Sequence, residues 1–354
     1  MTNPLIFDGH NDSLLRLYQH CEGDPVGFLE DAGSAAGRGR GQLDLPRALS
    51  GGFGGGFFAV FVPPPRDLDP EDLTQSTPPA GYDEPVPQGT AARVALEMIA
   101  GYHRLVAASC GRVRPLTSRA DLRLEEDSLL ALLHLEGAEP VDERLANLEA
   151  FHALGVRSIG PVWSRSNAFG HGVPFRFPSS PDTGEGLTAA GRELVRACRD
   201  LGMVVDLAHL NEKGFWDAAE LGGGPLVSTH TCCHALSPSS RNLTDDQLRA
   251  VRDSDGVVGL NFHVGDLRAK GPVRRQIPLT RMVEHLDHMV EIMGLRHVAL
   301  GSDFDGALMP EELTDASQLP RLVAALSRAG WETEAIAAVT HGNWLRLLDA
   351  TLLE

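Results

Sequence analysis

The residues best suited to chemistry in this chain are histidines and carboxylates, and their spacing points to metal ligation. His10 and Asp12 are two apart in Phe7-Asp-Gly-His-Asn-Asp12. On an extended strand such a pair shares one face and can share one cation. His209 follows the apolar run Met203–Leu207, and His230 follows Leu226-Val-Ser-Thr. Two imidazoles at the ends of consecutive strands would stand side by side, as a zinc site requires. Glu136 ends Leu129–Leu135, and a carboxylate has two oxygens with which to bridge two cations about 3.5–4 Å apart. The expected centre therefore holds two Zn2+ per chain. His10, Asp12 and Glu136 serve one ion, and Glu136, His209 and His230 the other. Nitrogen and oxygen donors without thiolate suit zinc, and an incomplete shell leaves room for water. A hydroxide held between two such ions would be the nucleophile.

Two further residues complete a hydrolytic set. Asp303, in Gly301-Ser-Asp-Phe-Asp-Gly306, is placed to accept the proton of the attacking water and pass it to a leaving amine. Asp305 reads as a helix cap or an orderer of the glycine turn. Arg241, in Ser239-Ser-Arg-Asn-Leu-Thr-Asp245, carries a planar fork that matches a substrate carboxylate.

These side chains need elements that bring them together. Short apolar runs recur at Leu5–Phe7, Phe57–Val62, Leu129–Leu135, Arg157–Val162, Met203–Leu207, Leu226–Ser228, Val257–Asn261 and Val298–Gly301. Each has the length and composition of a buried parallel strand. Helical patterns separate them at Gly89–Ser109, Leu145–Leu154, Thr188–Leu201, Thr244–Asp253, Thr280–Met293 and Leu319–Ala329. The alternation predicts an α/β fold, a single distorted (β/α)8 TIM-like barrel over residues 1–354, with every ligand-type residue at a strand's carboxyl end. A doubly wound sheet is the alternative, but the cluster Gly51-Gly-Phe-Gly-Gly-Gly56 precedes a strand instead of following one. It reads as a turn into the second strand. Pro63–Pro87, Ser164–Leu187 and Val264–Pro278 are expected to be long loops over the active face.

Composition excludes some partners. In 354 residues, 31 Lys and Arg stand against 48 Asp and Glu, a net charge of −17 that repels nucleic acid and anionic membrane surfaces. Neither a secretory leader nor a membrane-spanning apolar run is evident. Five cysteines with no CxxC pair suit a reducing compartment, so a cytoplasmic location is expected. Cys232 and Cys233 read as packing residues.

Phe7-Asp-Gly-His-Asn-Asp12, Leu135-Glu-Gly137, Asp206-Leu-Ala-His209, Ser228-Thr-His230, Ser240-Arg-Asn-Leu243 and Gly301-Ser-Asp-Phe-Asp-Gly306 occur in an order that resembles the renal (membrane) dipeptidases, from Leu5 to about Leu348. The resemblance implies a barrel of the amidohydrolase type and hydrolysis of dipeptides, including those ending in a D-residue, to free amino acids. It also implies a zinc pair bridged by Glu136, with His10 and Asp12 on one ion and His209 and His230 on the other. Asp303 becomes the proton shuttle and Arg241 the group that binds the terminal carboxylate. Prokaryotic relatives of this kind are commonly homodimers. One position departs: Trp163 stands where the family has a histidine contacting the substrate carbonyl. Its indole donates a hydrogen bond to substrate or walls the pocket, and His171 or Arg165 on the same loop could compensate. The rival reading keeps the zinc pair and hydrolyses N-acyl amino acids, lactones or cyclic amides, since fold alone does not set the substrate.

Overall fold

The computed structural model describes residues 4–30, 41–64 and 81–354. Nine strands run through them: β1 Ile6–Asn11, β2 Phe53–Phe61, β3 Val113–Pro115, β4 Leu129–Glu136, β5 Val156–Ile159, β6 Val204–Val205, β7 Val227–Thr231, β8 Val257–Leu260 and β9 Val298–Leu300. All pairings between them are parallel. One sheet has the order β1-β2-β4-β5-β6, with the short β3 beside β4, and a second has the order β7-β8-β9. Single bridges join the two sheets, Asp206 to Val227 at one seam and Asn11 to Phe304 at the other. Leu207 N donates to Val227 O at 2.8 Å, and Asp12 N to Phe304 O at 2.7 Å. The result is the expected barrel, distorted because both seams are barely laddered.

The period-two alternation of β4 shows how the barrel sorts its residues. Leu129, Ala131, Leu133 and Leu135 pack outward among the helices, while Leu130 and Leu132 belong to the inner core with Phe7, Phe57, Val204, Val227, Val257 and Ala299. His134 and Glu136 continue the inward row, so the interior turns from apolar to polar toward the carboxyl end. The helix Asn343–Thr351 closes the other end: Trp344 Nε1 donates to Leu300 O at 2.8 Å, and Asn343 Nδ2 to Val298 O at 2.7 Å.

The expected helices occur at Gln88–Ala108, Leu148–Ala153, Ala189–Asp200, Asp245–Asp253, Leu279–Met293 and Leu319–Arg328. Thr188 and Thr244 cap two of them by accepting from Gly191 N and Gln247 N. Three expectations need correction. The glycine cluster turns the chain at Gly52 alone, which caps the helix Leu45–Gly51 with a φ of 74°; Phe53 to Gly56 already lie in buried β2. Glycine is used there for closeness, since a Cβ on Gly55 would sit 2.3 Å from Leu130 O on the neighbouring strand. Asp12 is not on the strand either; it occupies the N-cap position of the helix Ser13–Cys21. The loop at 264–278 opens with the short helix Val264–Leu267. Of the loop expected over Pro63–Pro87, residues 65–80 lie outside the described residues.

Candidate metal centre

Every ligand expected from the sequence arrives at the same mouth. His10 comes from the end of β1, Glu136 from the last residue of β4, and His230 from β7, while His209 follows β6 on a left-handed turn with φ of 64°. Three imidazole Nε2 atoms surround Glu136 Oε1, at 3.6 Å from His10, 3.0 Å from His209 and 3.8 Å from His230. His209 and His230 present their Nε2 atoms to each other at 3.0 Å, and His10 Nε2 is 3.3 Å from Asp12 Oδ2. Ligand atoms of His10, Glu136 and His230 lie within 4.8 Å of one another, and so do those of His10, Asp12 and Asp303. Convergence is thus around His10 as well as around Glu136, and Asp303 stands closer to the donor set than its expected role as proton carrier required.

Chemically, the set fits zinc. A tetrahedral ion with bonds near 2.0–2.1 Å places its ligands roughly 3.3 Å apart, and the separations here bracket that value. Both nitrogens of buried His10 and Oδ1 of Asp12 lack hydrogen-bond partners among the described residues, which is costly unless a cation satisfies them. Burial, with Arg241 and His10 nearby, holds His209 well below the usual histidine pKa; burial and His10 do the same for His230. Neutral imidazoles can ligate. Burial pulls His10 down too, but Glu136 and Asp12 outweigh it and hold the ring well above the usual value. Burial pushes Glu136 up to about 7. A ring raised above its usual value by crowded carboxylates marks a place where positive charge is favoured.

Outer contacts orient the ligands. Ser164 Oγ is 2.7 Å from His209 Nδ1, and Thr229 Oγ1 is 2.9 Å from His230 Nδ1. Asn261 Nδ2 donates to Asp303 Oδ2 at 3.1 Å. Gly306 lies beneath two of the carboxylates, where a Cβ would fall 2.1 Å from Asp12 Oδ2 and 2.6 Å from Asp303 Oδ1. Asp305 turns away to Arg16 Nε, at 3.0 Å, and accepts from Gln42 N at 2.5 Å, so it joins segments of the mouth instead of capping a helix.

A cavity of about 1020 Å³ opens over the cluster, lined by Asp12, Glu136, His209, Arg241, Asp303 and Trp163 among others. Arg241 is buried, with Nη2 3.2 Å from His209 Nε2 and 3.4 Å from His230 O. Asp266, which accepts from Ser239 Oγ at 2.9 Å and faces His263 Nδ1 at 3.4 Å, braces the Arg241 loop. Trp163 belongs to an aromatic wall, with ring centroids 4.9 Å from Phe61, 6.1 Å from Tyr82, 5.5 Å from Phe175 and 5.8 Å from His209. Neither expected substitute for the missing histidine lines the cavity. Arg165 pairs with buried Glu139 at 3.0 Å, and His171 faces Ser166. Asn261, His263, Phe61, Tyr82 and Phe175 were not singled out from sequence. Only Asn261, at the end of its apolar run, carried the positional signal that revealed the others.

A parallel barrel that gathers imidazoles and carboxylates at the carboxyl ends of its strands has the architecture of a metal-dependent hydrolase. The chain belongs to the membrane dipeptidase family, peptidase family M19, whose model matches residues 1–352. By class it is a metallo dipeptidase. It is 44% identical to a metallo peptidase from Rhodobacter sphaeroides, solved with a phosphinate mimic of the dipeptide L-Ala-D-Ala, with a TM-score of 0.92 over 99% of this chain and 100% of that one. A solved metallo peptidase described as dipeptidase AC is likewise 44% identical, with a TM-score of 0.90 over 99% of each chain. A Klebsiella pneumoniae protein named for the pqqA 5′ region is 50% identical over 254 residues, 71% of this chain and 94% of that protein. Among the described residues no helix is long and apolar enough to cross a membrane.

Proposed function

We propose that this protein hydrolyses dipeptides, including L-Xaa-D-Xaa, to free amino acids, with two zinc ions held by His10, Asp12, Glu136, His209 and His230. The observation that carries the reading is the convergence of three Nε2 atoms on Glu136 Oε1 at 3.0–3.8 Å beneath a cavity that also receives Arg241 and Asp303. The dipeptide mimic bound by the 44% identical Rhodobacter sphaeroides peptidase supports the substrate class and the D-configured second residue. Zinc bound at such a site supplies Lewis acidity, polarising a carbonyl and lowering the pKa of water to about 7.

The remaining work falls to the chain. Arg241 receives the terminal carboxylate on its guanidinium and so fixes the register of the scissile bond. Asp303, with one oxygen held by Asn261, takes the proton of the attacking water on the other and delivers it to the departing amine. Trp163 and its aromatic neighbours exclude water from one side of the cavity, and its indole N–H offers a donor to the substrate carbonyl. Five cysteines without a CxxC pair are in keeping with a cytoplasmic location.

The test is release of amino acids from a panel of L,L and L,D dipeptides and N-acyl amino acids by the zinc-loaded protein, read by chromatography and mass. Cleavage of dipeptides, with L,D substrates among them, is the expected result. Turnover confined to the acylated compounds would sink the dipeptidase reading in favour of a general amidohydrolase.

A further inference from the structure

The seam between β6 and β7 is nearly unladdered, and a single buried carboxylate takes over the connection. Asp206, 1% exposed, accepts at Oδ1 from Ala208 N at 3.0 Å and from Thr229 N at 2.8 Å. At Oδ2 it accepts from Thr229 Oγ1 at 2.6 Å. His134 Nε2 approaches the same oxygen at 3.5 Å without forming a hydrogen bond, so Thr229 is the sole donor to Oδ2 among the described residues. One residue thereby shapes the turn into His209 and fixes the residue that precedes His230.

The proton count along this chain is decisive. A threonine hydroxyl has one proton, and here the carboxylate takes it. Thr229 Oγ1 can then only accept from its other neighbour, His230 Nδ1, 2.9 Å away. In a neutral imidazole with its proton on Nδ1, the lone pair must lie on Nε2. Nε2 is the atom that faces His209 Nε2 at 3.0 Å and Glu136 Oε1 at 3.8 Å.

We propose that Asp206 is a positioning residue that sets the tautomer of His230 through the Thr229 hydroxyl and so makes its Nε2 a metal ligand; this rests on the reading of His230 as a ligand. Asp206→Asn isolates the effect. The amide oxygen retains both backbone donors at the Oδ1 position, so the seam stays joined, while the other arm now donates. Thr229 Oγ1 accepts from that amide and turns its own proton toward His230 Nδ1. The ring proton moves to Nε2, and the ligand is lost.

The experiment compares zinc affinity, by chelator competition and metal content, in the wild type, Asp206→Asn, Thr229→Val, Thr229→Ser and His230→Ala. Nitrogen NMR of the histidine-labelled, zinc-free protein reads the His230 tautomer. Outer partners of metal ligands are worth about 10–100-fold in affinity. Asp206→Asn and Thr229→Val are expected to weaken zinc by that factor, and Thr229→Ser, which keeps the hydroxyl, to restore wild-type binding. In Asp206→Asn the ring proton is expected on Nε2. Should Asp206→Asn fail to fold, Thr229→Val against Thr229→Ser decides alone, since both leave the carboxylate in place. Wild-type zinc affinity and tautomer in Asp206→Asn or Thr229→Val, with weakening in His230→Ala, overturns the relay and leaves the ligand reading standing. Unchanged zinc binding in His230→Ala overturns both.

Discussion

Asp303 and Arg241 reach the same cavity but would act at different stages, and their removal should separate cleanly. Asp303 is fixed by Asn261 on one oxygen and overlies Gly306, which leaves it little freedom except to exchange a proton. General acid–base groups contribute about 10²–10⁴-fold. Asp303→Asn is therefore expected to lower kcat by roughly that factor while KM changes little and the affinity of the His10, Glu136 and His230 cluster for zinc persists; a variant that loses its metal instead would make Asp303 a ligand. Arg241 should behave oppositely. Hydrogen bonds to charged groups are worth about 1.5–3 kcal/mol, so Arg241→Ala is expected to lower kcat/KM for dipeptides roughly 10- to 100-fold, mainly through KM. A neutral lactone or ester, with no carboxylate to hold, should be nearly unaffected. An equal loss on both substrates would show that Arg241 instead supports His209, which its Nη2 touches at 3.2 Å.

The strands were legible because each is a short apolar run, and the site was legible because its polar residues sit where those runs stop. Leu129–Leu135 ends in Glu136, and the inward row Leu130, Leu132, His134, Glu136 carries both facts in one alternation. What escaped notice followed other physics. β1 carries His10, as its spacing from Asp12 required, but stops at Asn11, whose Nδ2 donates to Phe57 O at 3.0 Å, so Asp12 reaches the site from a helix N-cap instead of from the strand. The glycines of β2 looked like a turn because close approach between strands leaves no mark on composition. The aromatic wall joins Phe61, the last residue of β2, to Trp163 and Phe175 on the long connection after β5, a proximity that no local pattern encodes. The glycine argument is testable on its own. Gly55→Ala, forced against Leu130 O, is expected to destabilise by about 1–3 kcal/mol, as overpacking does. Gly89→Ala, in the first turn of Gln88–Ala108 with nothing within 4 Å of its Cβ, should stabilise by about 0.4–1 kcal/mol. Urea titrations of the two variants giving shifts of the same sign would refute the close-approach account of β2.

At the scale of the whole barrel the proposed metal centre would also be a structural joint. The proposed ligands His10, Glu136 and His209 come from the six-strand sheet and the turn that follows it, and His230 from the three-strand sheet; among the described residues the backbones of these sheets are joined by single bridges and a few hydrogen bonds. An ion held by both sheets would tie together what the ladders leave loose. A ligand that binds only the folded state stabilises it by RT ln(1 + [L]/Kd), about 2.7 kcal/mol when free zinc is a hundredfold above Kd. For a chain of 354 residues, unfolding entropy of about 2.1 cal/mol/K per residue converts this into a Tm change of only about 4 °C per site. The location of the effect is the sharper prediction. Chelation should raise hydrogen exchange in β7 and at the end of β1, beside the seams, and leave the β2–β4 pairing, the most extensive ladder in the barrel, protected as before. Zinc returned to the protein should reverse both changes. Exchange that rises equally in β2 and β4, or a Tm indifferent to chelator in a protein shown to lose its metal, would mean that the barrel closes without help from the site. The ligands would then be passengers on a scaffold stable in its own right, and the seams would owe their closure to their backbone bridges and to buried carboxylates, Asp206 at one and Asp8, which accepts from Ser302 N at 2.6 Å, at the other.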